Sequence, residues 1–201
     1  MFLTRREWPV LIANALYVPV FLFLAIRELN FEFVLYVGVI LIIAAWILWK
    51  QRVVQFDRTI LWGLTAWGFL HMAGGNLRVG GEILYNLMLI PIVPEPYHIL
   101  RYDQVVHVFG FGVATLVCHH LLRPYLRERI EKRGTLFFLV VLMGAGFGAM
   151  NEIVEFAAVV FVPETNVGGY ENTALDLVFN AIGAVLAVVI VGRKARGQEG
   201  K

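Results

Sequence analysis

Three pairs of polar residues lie inside long apolar stretches of this 201-residue chain: Asp103 with His107, Glu152 with Glu155, and Asp176 with Asn180. Residues three or four positions apart share one face of a helix, so each pair can present its two side chains together. Asn151 precedes the glutamate pair, and His71 stands in a further apolar stretch. Imidazole nitrogen and carboxylate oxygen are ligands for a divalent cation, and a spare carboxylate beside such an ion can act as a general base. On that chemistry His71, His107, Glu152 and Glu155 are candidate metal ligands. Asp103, His107, Glu152, Glu155, Asp176 and Asn180 are the candidate catalytic set. The same groups also serve as proton relays and as hydrogen-bonding partners between helices.

The surroundings make these residues expensive. Hydrophobic residues are 59% of the chain and charged residues 16%, against about 45–50% and about 25% in soluble domains. The mean hydropathy is +0.73. A soluble globule of this composition could not cover itself with polar surface, and a net charge of +2 is too small for a nucleic-acid binder. The chain reads as an all-α integral membrane bundle in a lipid bilayer. An ionised group at the centre of a membrane helix costs about 2.5–3.5 kcal/mol. The polar pairs must therefore be protonated, hydrated, paired across helices or bound to a cation.

About 20 apolar residues cross the hydrocarbon, which predicts six spans in one domain: about 8–26, 31–49, 59–75, 103–122, 135–162 and 173–192. The basic start at Arg5 and Arg6, with Arg27-Glu28 following the first run rather than a cleavage signal, predicts an uncleaved first span. With both termini in the cytoplasm, all but three of the 17 Lys and Arg residues fall inside, leaving Arg27, Arg78 and Arg101 outside. That bias is the positive-inside pattern of a multi-pass plasma-membrane protein. The basic segment 123–133 reads as a cytoplasmic loop. Segment 76–102, apolar but broken by Pro91, Pro94 and Pro96, reads as an outer connector or cap rather than a span.

Orientation then gives depth. Glu155 and Glu152 lie roughly 12 and 16 Å below the outer end of the fifth span, and His107 about 6 Å below Asp103. His71, Asp176 and Asn180 are also near outer ends. Four helices thus aim polar groups at one leaflet, predicting a single outward-facing cavity bordered by His71. His119 and His120 fall at the cytoplasmic end, and His98 lies in the outer segment. Gly144, Gly146, Gly148, Gly183 and Ala184 read as close-packing positions. The single cysteine, Cys118, reads as an inert apolar residue.

The pattern Asp103-x-x-x-His107, the Glu152/Glu155 helix and Asp176-x-x-x-Asn180-x-x-Gly183 resembles the VanZ-like family of bacterial membrane proteins. With His71-Met-Ala-Gly-Gly75 ahead and Asn151-Glu152-Ile-Val-Glu155 behind, it is similar to the YjdF-like group of small polytopic proteins across residues 60–190. Two positions depart from the VanZ pattern: Glu155 stands where a glutamine is usual, and Tyr170–Thr173 lacks the arginine before the last aspartate. The resemblance implies a plasma-membrane location and a polar intramembrane site, without an activity. Three readings stay open on the residues: a metal-dependent hydrolase or transferase acting on a lipid or cell-envelope substrate, a proton- or ion-coupled transporter, and a non-catalytic lipid-binding or accessory protein. Substrate, ion and oligomeric state are not encoded in these motifs.

Overall fold

The computed structural model describes residues 5, 7–93, 97–126 and 133–199, with side chains in the last helix described through Arg193. Arg6, Pro94, Pro96, Arg127, Arg129, Lys132 and Lys201, and the side chains of Lys194 and Arg196, all used in the topology reading, lie outside the described residues. Six α-helices are present among the described residues: α1 (Trp8–Arg27), α2 (Phe31–Val54), α3 (Arg58–Asn76), α4 (Tyr102–Leu122), α5 (Arg133–Phe161) and α6 (Tyr170–Glu199). All except α3 are long and apolar enough to cross a membrane. The 19 residues of α3 include Arg58, Thr59, Thr65, His71 and Asn76, which dilute its hydropathy. Side chains such as Leu16, Phe23, Ile42, Trp49 and Phe156 are exposed on the helices' outer faces, as a surface solvated by lipid requires.

Local chemistry sets the helix ends. Asn30 caps α2 by accepting from the Phe33 amide at 3.2 Å, and Gln55 ends the helix in the left-handed region at φ 50°. Helix α2 outruns its expected apolar span through Lys50, Gln51 and Arg52, polar residues that continue a helix as readily as apolar ones. Helix α6 likewise extends beyond its expected span at both ends.

Hydrogen bonds between connections define the two ends of the bundle. At one end Asn30 donates to the Gly75 carbonyl at 3.3 Å, the Tyr102 hydroxyl to the Leu70 carbonyl at 3.0 Å, and the Asn166 amide to Glu32 at 2.6 Å. At the other, Gln51 donates to Glu7 at 2.7 Å, and His120 lies 3.1 Å from the Val54 carbonyl and stacks on Phe56. Successive helices therefore run up and down. His119 and His120 belong to the end opposite the polar pairs, as expected.

Segment 76–102, expected as an outer connector or cap, adds short strands to a mostly helical fold. Among the described residues it holds four short strands, β1 (Arg78–Val79), β2 (Glu82–Ile83), β3 (Met88–Val93) and β4 (Ile99–Arg101), paired β1 with β2 and β3 with β4, both antiparallel. Gly80 and Gly81, at φ 62° and 93°, form the two-residue turn of the first pair. Such a turn needs positive φ at both positions, which glycine adopts without strain. The Tyr85 hydroxyl, from the 3-10 turn that follows, reaches into the bundle and bonds His71.

Small residues hold α4, α5 and α6 together. A Cβ on Gly183 would overlap the Val108 carbonyl oxygen and lie 2.9 Å from the Gly112 amide nitrogen, so α4 and α6 touch backbone to backbone. Backbone has nowhere to go, whereas a Cβ on Gly146 would meet nothing within 4 Å. Gly183→Ala should therefore destabilise the bundle by about 1–3 kcal/mol, read as a lower melting temperature in detergent. Gly146→Ala should be neutral, or stabilising by up to about 1 kcal/mol. Equal melting temperatures for the two variants would show that the α4–α6 contact is looser than described.

Candidate functional site

The α4–α6 contact sits one to two turns below the polar pairs and brings their faces together. His107 of α4 is buried at the centre. Its Nδ1 lies 2.9 Å from Oδ1 of Asn180 on α6 and 3.9 Å from Oε1 of Glu152 on α5. Its Nε2 lies 3.4 Å from Oδ1 of Asp103 and 4.0 Å from Oδ1 of Asp176. Ligand atoms of Asp103, His107 and Asp176 all fall within 4.8 Å of one another, as do those of His107, Glu152 and Glu155. All six candidate catalytic residues are thus gathered about one imidazole. Asp176 and Asn180 are almost wholly inaccessible, at 1% and 0% exposure, while the Asp103 side chain keeps 17% and marks the open side.

Each inner carboxylate but Asp103 is gripped through one oxygen by a carboxamide. Asn180 Nδ2 donates to Glu152 Oε1 at 3.5 Å, Asn151 Nδ2 to Glu155 Oε1 at 2.7 Å, and Asn172 Nδ2 to Asp176 Oδ2 at 2.5 Å. Asn180 reaches α5 because position 148 is glycine; a Cβ there would lie 2.7 Å from the Asn180 amide nitrogen. The grip leaves second oxygens over. Asp176 Oδ1 and Glu152 Oε2 are buried with no hydrogen-bond partner among the described residues.

The amide also sets the imidazole. With Asn180 Nδ2 directed at Glu152, its Oδ1 must accept, so His107 Nδ1 is the donor. Nε2 then faces Asp103 and Asp176 with either a second proton or a cation between them. A tetrahedral ion with bonds of about 2.1 Å has ligand-to-ligand edges of about 3.4 Å, and the two Nε2–carboxylate separations, 3.4 and 4.0 Å, are close to that. Nδ1 is already taken by Asn180. Asp103, His107 and Asp176 therefore fit a cation better than His107, Glu152 and Glu155, with the imidazole oriented from its far nitrogen as ligating histidines usually are.

His71, expected as a ligand, stands to one side. Its ring is boxed by Phe33, Tyr36, Trp67 and Tyr85, with ring centroids 5.4 to 6.3 Å away. Its Nδ1 lies 2.5 Å from the Tyr85 hydroxyl, and it is in neither candidate ligand group. Burial, then the neighbouring carboxylates, push the Tyr85 hydroxyl well above the usual tyrosine range, so it stays a neutral donor and fixes the ring.

The residues alone did not single out Glu32, Arg101, Asn166 or Asn172. Glu32, 3% exposed in the first turn of α2, accepts from both the backbone and side-chain nitrogens of Asn166, at 2.6 and 3.3 Å. It pins the α5–α6 connection over the cluster and lies within electrostatic range of Asp103. The i, i+4 spacing of Asn172 and Asp176 was a usable signal. Glu32 and Asn166 are 134 positions apart, and no local pattern joins them.

No solved structure matches the chain. An uncharacterised protein of Thermotoga maritima is 31% identical over 101 residues, which are 50% of this chain and 52% of that protein; the match thus spans about half of that relative's length. The model of the predicted membrane protein family DUF2238 matches residues 9–197, nearly the whole helical bundle. With its apolar multi-pass helices and buried His-carboxylate cluster, the chain belongs to this family of predicted membrane proteins.

Proposed function

We propose that this is a six-span plasma-membrane enzyme, a metal-dependent hydrolase or transferase acting on a lipid or cell-envelope substrate. In this reading α3 is the remaining span, shielded from lipid in part by α1, α2 and α4. Both termini are cytoplasmic, and the cluster opens to the outer face. The positive-inside pattern supports the orientation, and the likeness to VanZ-like and YjdF-like proteins is compatible with it. Asp103, His107 Nε2 and Asp176 would hold the cation, and a cation held there would supply Lewis-acid polarisation of an oxygen or a water of lowered pKa. Glu152, whose Oε2 has no hydrogen-bond partner among the described residues, would serve as the general base for a proton given up by the attacking water or hydroxyl. Asn180, Asn172 and Asn151 keep the ligands and bases aimed, and Glu155 completes the acidic wall.

The observation that carries this reading is the orphaned buried oxygen Asp176 Oδ1, which faces Nε2 of an imidazole whose other nitrogen is taken, together with a second orphaned carboxylate oxygen, Glu152 Oε2, on the Nδ1 side. Structural polar contacts in the same protein look different. Asn14 donates to the Val10 carbonyl and to Thr65, and accepts from Tyr17, each at 2.8 Å. That network between α1 and α3 is neutral and satisfied. Hydrogen-bond glue does not need unsatisfied carboxylates.

Two measurements follow. Cysteine at Glu171 should react with a membrane-impermeant maleimide on intact cells, and cysteine at Tyr125 only after permeabilisation; the native Cys118 is buried and gives little background. The reverse pattern would turn the cluster towards the cytoplasm. Chelator should lower the melting temperature of the wild type in detergent, because a ligand that binds only the folded state stabilises it by mass action. Asp176→Asn should abolish that response. Glu152→Gln should keep it while losing activity, since glutamine preserves shape but takes no proton. A wild type indifferent to chelator, with Glu152→Gln fully functional in its host, would leave structural glue as the role of the cluster.

A further inference from the structure

A cleft of about 470 Å³ opens at the site end of the bundle, between β4, the start of α4 and the start of α6. Its walls include Tyr97, Arg101, Gln104, Gly168, Gly169 and Asn172. Arg101 immediately precedes α4, two residues before Asp103, and its Nε is buried with no hydrogen-bond partner among the described residues. A guanidinium N–H left unpaired in a partly buried site is a donor awaiting an acceptor. The opposite wall supplies more donors. The first N–H bonded back in α6 is that of Thr173, to the Gly169 carbonyl at 3.2 Å, so the preceding amides of Tyr170, Glu171 and Asn172 have no partner within the helix, and negative charge is favoured at such an N-terminus. Glu171 is the opposing charge on the wall, and it is exposed at the rim.

The cleft and the cluster share a wall. Asn172 lines the cleft and donates to Asp176, while Arg101 and Gln104 flank Asp103, the most open of the three cation ligands. Gly168 is held close against Asn172; a Cβ there would overlap the Asn172 side chain. An anion seated between Arg101 and the α6 amides thus lies next to the cation position. Arginine's planar fork matches two oxygens of one tetrahedral centre, which a phosphate presents in any orientation.

We propose that this cleft is a phosphate-binding subsite, with Arg101 as its anchor, which takes the phosphate or phosphodiester group of the substrate. The inference names the substrate class of the site above and rests on that reading for its purpose, though the binding can be tested apart from it. Melting of the purified full chain in detergent is followed against inorganic phosphate, dihexanoyl phosphatidic acid and dihexanoyl phosphatidylcholine, each with and without chelator. At least one phosphate-bearing probe should raise the wild-type melting temperature. Its apparent affinity should fall about tenfold or more in Arg101→Gln, with Arg101→Lys between, since lysine keeps the charge and loses the fork.

A response to inorganic phosphate equal to that of the lipids supports a site for free phosphate. A response confined to the lipids supports a headgroup site. A shift that survives in a protein indifferent to chelator upholds the cleft and removes the cation. No shift by any probe overturns the proposal even where chelator still acts, as does unchanged affinity in Arg101→Gln. If Arg101→Gln does not fold, wild-type affinity in Arg101→Lys overturns it instead.

Discussion

Asp103, Glu152, Glu155 and Asp176 converge on His107 inside a bundle whose outer surface is apolar, and the rest of the structure is arranged around that concentration of like groups. Two carboxylates about 4–5 Å apart repel by about 3–4 kcal/mol at an effective dielectric of about 20, before any desolvation is counted. A fold that is stable by only about 5–15 kcal/mol cannot carry several such terms unanswered. One imidazole does not neutralise four acids. The balance has to come from protons or from a cation, and the amide grips decide where it sits. By fixing one oxygen each of Glu152, Glu155 and Asp176 and the Nδ1 side of His107, they leave Nε2, Asp103 Oδ1 and Asp176 Oδ1 as the donor set that converges.

This arrangement depends on helix approach. His107, Asn180 and Glu152 come from three helices, and they meet because Gly112, Gly183 and Gly148 remove the side chains that would hold those helices apart. The packing glycines and the polar pairs are therefore parts of one design: the first sets the distance at which the second can interact. Segment 76–102 and the α5–α6 connection close the same end from above, one through Tyr85 on His71, the other through Asn166 on Glu32. Both also contribute walls to the cleft that adjoins the cluster at Asn172.

Much of this was legible in the sequence because helices repeat locally. The i, i+4 spacing of Asp103 with His107 and of Asp176 with Asn180 puts each pair on one face whatever the tertiary structure does. Charges inside apolar runs stand out against their neighbours. Other features follow from contacts that no local pattern encodes. Glu32 follows the capping Asn30 and looks like an ordinary acid at a helix start, yet it is buried under a residue from the far end of the chain. His71 has the residue type and depth of a ligand, but aromatic rings from two other segments enclose it. The strands of 76–102 were masked by prolines and apolar residues, although Gly80-Gly81 between two short extended runs was a hairpin signal. In the sequence Arg101 is only one of three outer charges, because its cleft is completed by α6, some 70 residues away.

A cation in the donor set of Asp103, His107 and Asp176 is what separates a working site from structural glue. Elemental analysis of the purified full chain, prepared without chelator and normalised to protein, tests that directly. About one divalent ion per chain is predicted for the wild type, with a sharp loss in His107→Gln and retention in His120→Gln at the opposite end of the bundle. A wild type that carries no divalent ion, and takes up none when divalent salts are restored, would contradict it.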